Sequence, residues 1–115
     1  MIRAVLVVFV IIVGFVPLRA ETVQVRYHGP VDLTRFQCSD ITRSSFINRV
    51  CYARSERYML INLEGVYYHY CALDAVTYRD LLNADSMGRY YNANIRSRGA
   101  QRGRFDCRDH PVPRF

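Results

Sequence analysis

The sequence predicts an α+β fold: a three-stranded antiparallel meander, two helices on one of its faces, and disulfide-stapled N- and C-terminal arms. Three observations predict it. Residues 47–71 hold runs of alternating apolar residues broken by short polar turns. Residues 74–96 switch to apolar residues spaced three and four apart. Four cysteines, Cys38, Cys51, Cys71 and Cys107, are spread across a short chain.

The N-terminus lies outside this fold. A short basic start ending in Arg3 is followed by an apolar run over residues 4–16, broken only by Gly14, then by Pro17, Leu18, Arg19 and Ala20. This is the layout of a secretory signal peptide over residues 1–20, with cleavage after Ala20. The run is shorter than the roughly 20 residues a spanning helix needs, which disfavours its retention as an anchor. The expected location is therefore exported, periplasmic or secreted. Cleavage removes Arg3 and Arg19 and so lowers the formal charge from +6 to +4. Every basic residue is arginine, spread along the chain as GC-rich coding would leave them rather than gathered in one motif.

The N-terminal arm spans residues 21–41. Val23, Val25 and Tyr27 alternate with polar neighbours, which predicts a short strand, and His28, Gly29 and Pro30 predict a turn. The segment 31–38 alternates again. The next strand is expected over 47–52, joined through the loop Arg54 to Arg57 to a hairpin whose two-residue turn is Glu64-Gly65. That register pairs Leu63 with Val66, Ile61 with Tyr68 and Met59 with Tyr70. Ala53 should oppose Tyr58, which places Val50 and Tyr52 on the same apolar face. Helices should cover that face.

The opposite face is mixed and carries Cys51, Tyr58, Leu60, Asn62, Tyr67, His69 and Cys71. In this register Cys51 and Cys71 lie two strands apart, about 10 Å or more, which is beyond disulfide reach. Each should therefore bond to one of the outer cysteines, Cys38 or Cys107, and both pairings stay open. Two bridges suit an exported chain, and no close Cys-x-x-Cys pair points to zinc. No metal or other cofactor is implied.

Beyond Cys71 the period becomes helical. Asp74 is a good N-cap for a helix over 75–84 that turns Ala75, Tyr78, Leu81 and Leu82 inward. Ser86 caps a second helix reaching about Arg96, with Met87, Tyr91 and Ile95 facing the core and Gly88 allowing close packing. A Gly- and Arg-rich loop then returns to Phe105 and Cys107, and the tail 106–115 is expected to be extended or mobile.

The segment 42–105 resembles the KTSC domain, which occurs at the C-terminus of some lysyl-tRNA synthetases and as small stand-alone proteins. The resemblance rests on Ser44, Ser45, Val50 and Tyr52, then on Leu60, Leu63, Gly65, Tyr68 and Tyr70. It continues through Tyr78, Leu82, Ala84, Ser86, Gly88, Tyr91, Asn92, Ile95 and Arg96, where the pattern Ser-x-Gly-x-Tyr-x-Asn-x-x-Ile-Arg is the most specific element. Where the family usually has Val-Pro before the first helix, this chain has Leu73-Asp74. The resemblance implies a small α+β domain and, from the synthetase context, nucleic-acid binding, RNA above all.

No catalytic constellation emerges. His28, His69 and His110 lie in separate segments, Asp74 is explained as a cap, Asp80 and Asp85 as solvated helix residues, and Ser44 and Ser45 have no evident base. The expected function is that of a non-catalytic binding domain with an interaction or envelope-structural role, its partner unknown. The alternative is a polyanion reader. Arg89, Asn92 and Arg96 form one outward row on the second helix, Arg98, Arg102 and Arg104 follow in the loop, and Tyr67 and Tyr90 are candidate stacking residues where exposed.

Overall fold

The structure is a computed structural model that describes residues 3–14 and 21–115. The cleavage site expected after Ala20 lies outside the described residues. Residues 3–14 form no helix or strand, and their apolar side chains are exposed. Among the described residues no helix is long and apolar enough to cross a membrane.

The elements run β1 (Thr22–Val25), β2 (Gly29–Asp32), β3 (Gln37–Asp40), β4 (Ile47–Ala53), β5 (Tyr58–Leu63), β6 (Val66–Tyr70), α1 (Ala75–Asn83) and α2 (Met87–Asn94), followed by a single 3-10 turn over Cys107–Asp109. The central strands follow the sequence. β5 and β6 pair Met59 with Tyr70, Ile61 with Tyr68 and Leu63 with Val66. β4 and β5 pair Ala53 with Tyr58 and Val50 with Ile61. Glu64 and Gly65 both take positive φ, 51° and 92°. That mirror-image turn matches the twist of the flanking strands, and glycine adopts it without steric cost.

The sheet is larger than the predicted meander. Among the described residues six strands join in the order β2-β1-β6-β5-β4-β3. The N-terminal arm supplies three of these strands and covers the second face through the curl of the sheet. β3 extends the sheet beyond β4. β1 docks beside β6 in parallel, and β2 folds back on β1. The chain reverses at Arg26, Tyr27 and His28, so Gly29 and Pro30 belong to β2 rather than to the predicted turn. The order also makes the sheet mixed, since β1 and β6 are the parallel pair.

Each face has its own core. Under the helices lie Ile47, Val50, Tyr52, Met59, Ile61 and Tyr70 of the sheet, met by Leu81, Met87, Tyr91 and Ile95. Full burial of a side chain such as Ile61 is worth about 1.5–3 kcal/mol. Val66 lies past the helical layer and is exposed. The second face is not an open mixed surface. The sheet curls until Val23, Val25, Val31 and Leu33 of the N-terminal strands pack with Cys51, Tyr58, Leu60 and Cys71. Glu21 closes this side by a bidentate contact to Arg49, at 2.7 and 3.0 Å.

Both bridges join an inner to an outer cysteine: Cys38 with Cys51 and Cys71 with Cys107. The first pair sits directly opposed in the β3–β4 ladder. The second draws the chain after α2 back alongside β6, where the Cys71 N–H donates to the Phe105 carbonyl at 2.8 Å. The tail is therefore built in, not loose. Its Phe115 ring lies 4.6 Å from Phe36 and 5.5 Å from Tyr58, and His110 Nε2 bonds the Arg104 carbonyl at 2.9 Å.

Asp74 stands at the start of α1 in extended conformation, but its carboxylate accepts from the Thr77 hydroxyl rather than from a helix N–H. Arg43 donates to the Leu82 and Ala84 carbonyls and so closes the far end. Ser86 caps α2 as expected, accepting from the Arg89 N–H at 3.2 Å.

Candidate binding cleft

α2 carries the candidate row on its outer side because Met87, Tyr91 and Ile95 claim the inner one. Arg89 and Arg96 are exposed, and Asn92 between them is half-buried. The Arg96 Nη1 approaches Asn92 Oδ1 at 3.4 Å. Among the described residues neither Arg89 nor Arg96 has a carboxylate within ion-pair distance.

The row is a ridge between two hollows. On one side is an open cleft of about 1150 Å³, into which Asn92 and Arg96 project. On the other is a depression of about 410 Å³ beside Arg43, Ser44, Ser45 and Arg89. Phe46 and Asn92 belong to both. The Ser44 Oγ accepts there from the Ile47 N–H at 3.1 Å.

The other predicted contact residues are placed differently. Arg98 donates to the Asn92 carbonyl and tethers the end of α2. Arg102 pairs with Asp109 at 2.8 Å, and the Arg104 guanidinium rests 5.3 Å from the Phe105 ring centre. None of these three lines the cleft. Tyr67 packs half-buried on the second core and accepts from Arg49 at 3.3 Å. Tyr90 is half-buried against the first core.

The cleft also gathers residues that sequence reasoning did not assign to a site. The β1–β2 turn supplies Arg26, Tyr27 and His28, and the stapled tail supplies Asp106 and Arg108. Arg26 sits 5.0 Å from the Tyr27 ring centre and 5.9 Å from that of Tyr68, and donates to the Tyr68 hydroxyl at 3.2 Å. Arg108 is held by Asp106, whose carboxyl is kept well below its usual range by that guanidinium. At the floor, the hydroxyls of Tyr70 and Tyr91 meet at 2.5 Å, and burial raises both pKa values.

The His69 ring lies 5.0 Å from that of His28, tilted 34° to it, and its Nδ1 shares a 2.9 Å hydrogen bond with the buried Tyr58 hydroxyl. Burial, and then the neighbouring His28, hold its pKa below the ordinary histidine value. Among the described residues no three His, Cys, Asp or Glu side chains come together in a way that could hold a metal ion. The only signal for this wall in the sequence was the Arg26-Tyr27-His28 triplet itself. Its neighbours in the cleft come from about forty and eighty residues further along, which no local pattern reveals.

Residues 43–98 match the family model of the KTSC domain. Those residues are a KTSC domain. They span β4 to the end of α2 and hold the ridge, the depression and one wall of the cleft. The N-terminal strands and the tail, which form the rest of the cleft, are additions outside the KTSC match. A KTSC domain protein from Yersinia pestis, known from its crystal structure, is similar at 24% identity and a TM-score of 0.49, over 53% of this chain and 86% of that one. No curated protein matches the chain.

Proposed function

We propose that the chain is an exported, non-catalytic binding domain that holds an anionic polymer along the outer face of α2. The observation that carries this is the ridge of Arg89, Asn92 and Arg96, which runs between two hollows with its guanidinium groups free of carboxylate partners among the described residues. Arginine meets phosphate or carboxylate with two parallel hydrogen bonds, and an exposed row offers them at successive points. The two disulfides are compatible with export. Of the two expectations, an anionic polymer fits this geometry better than a protein partner, because the ridge presents charge rather than an apolar patch.

The test is a salt-titrated binding screen against RNA, DNA and anionic envelope polymers. Affinity should fall steeply with salt, and Arg89→Ala with Arg96→Ala should lower the salt slope by about two. The triple change that adds Asn92→Ala should abolish binding while the melting temperature stays put. Binding that ignores both salt and the triple change, or a protein partner recovered at high salt, would sink the proposal.

A further inference from the structure

Tyr27 is the most anomalous exposed residue of the folded body. It is 88% exposed, yet its backbone sits at φ 64°, the left-handed region that a bulky side chain seldom adopts. Asn or Gly would take that turn with less strain. In the free protein the ring gains almost no burial in return. Strain of this kind persists where the side chain is needed for something else.

What surrounds the ring indicates the use. Tyr27 stands at the mouth of the cleft beside Arg26, whose guanidinium is steadied by the Tyr68 hydroxyl. Arg96, just past the end of α2, lines the same cleft. Three guanidinium groups, Arg26, Arg96 and Arg108, face two carboxylates, Glu64 and Asp106. Arg108 is already satisfied by Asp106. The remaining balance suits one negative charge. A phosphomonoester dianion would bring excess charge close to Glu64 and Asp106, whereas a phosphodiester carries the same single charge as a carboxylate and is told apart from it by the neighbouring groups. The Tyr68 hydroxyl, the Asn92 amide and the His28 imidazole add separated donors and acceptors around an aromatic face, which is what a hydroxyl-rich ring requires.

We propose that this cleft takes a sugar carboxylate of the uronic-acid type, its ring lying on Tyr27 and its carboxylate met by Arg26 and Arg96. The inference rests on the anionic-polymer reading and names the unit that the polymer carries. It assigns recognition of that unit to the β1–β2 turn, outside the KTSC residues.

The experiment titrates the disulfide-bonded protein, expressed from the full chain, with trigalacturonate, its methyl ester and a phosphodiester oligomer, following backbone amide resonances. Trigalacturonate should shift the amides of residues 26–28, 68–69 and 96–97, and the methyl ester should bind about tenfold more weakly or worse. Tyr27→Asn should raise the melting temperature yet weaken trigalacturonate binding by about tenfold. Arg26→Ala should weaken it without unfolding the protein. Equal binding of acid and ester overturns the proposal, as does a Tyr27→Asn protein that binds as before. Preference for the phosphodiester overturns the uronate assignment while leaving an anion-binding domain. Failure of every anionic probe overturns both.

Discussion

Gly88 and Gly103 both lack room for a methyl group, but what stands in the way differs. A Cβ on Gly88 would lie 2.5 Å from Phe46 Cε1 and 2.9 Å from its Cζ, the free end of a half-buried ring. On Gly103 it would lie 2.9 Å from the Ile95 carbonyl oxygen and 3.2 Å from that of Arg96, which are backbone atoms. A ring can turn aside, whereas a helix end has to move as a unit. Gly88→Ala should therefore cost about 1 kcal/mol and Gly103→Ala about 3 kcal/mol. Urea melts rank the two, and an equal loss would show that Phe46 cannot yield. Gly88 stands out in the sequence as a small residue at a helix start. Nothing nearby marks Gly103, because the atoms it touches belong to the end of the preceding helix.

His69 carries a residue-scale pH dependence. Its folded pKa lies below its unfolded one, near 6.5, because burial and His28 disfavour the imidazolium. The unfolded chain then binds the proton more readily. The stability it contributes is complete above about pH 6.5 and is lost as the pH falls through the folded value. Asp106 opposes this in part from the tail. Thermal melts between pH 7 and pH 5 should show the loss, and His69→Gln, which keeps an acceptor for Tyr58, should flatten it. An unchanged acid-side slope in that variant would place the titrating group elsewhere.

At the scale of elements, the two disulfides do different work. Cys38–Cys51 closes 13 residues and staples neighbouring strands that the β3–β4 ladder already joins. Cys71–Cys107 closes 36 and fixes a segment held otherwise by a few hydrogen bonds and by the packing of Phe105 and Phe115. On loop length alone, replacing the first pair by alanine should cost about 3 kcal/mol and the second about 4 kcal/mol. Denaturant melts of the two double variants test this, and a reversed order would mean that native contacts outweigh the loop term. The second variant should also free the chain that brings Asp106 and Arg108 to the cleft. The hairpin and both helices were legible in the sequence because their determinants are local: a Glu64-Gly65 turn, two caps, and apolar residues at the matching period. The cysteine pairing was legible only as far as the strand register reached. Choosing between Cys38 and Cys107 required the positions of arms whose partners lie elsewhere in the chain.

For the molecule as a whole, the least legible feature was the closure of the sheet. Alternation at Val23 and Val25 marks a strand, but nothing in it says that the strand lies parallel to β6, 42 residues away. The same non-local step hid the site. The row on α2 follows from helical spacing, whereas the wall facing it comes from the β1–β2 turn and the tail, brought there by the sheet and the Cys71–Cys107 bridge. The β1–β6 joint is thin. Its ladder pairs one position, Val25 with Tyr67, backed by the Arg26 N–H to the Tyr67 carbonyl at 2.8 Å. The ladder itself is slight, so opening along this line, with β1 and β2 swinging away from the central sheet, is resisted chiefly by the packing of Val23, Val25, Val31 and Leu33 on Tyr58 and Leu60. Anything held between the β1–β2 turn and α2 would span that line and weigh against the swing. Occupancy of the cleft and closure of the sheet would then be a single equilibrium.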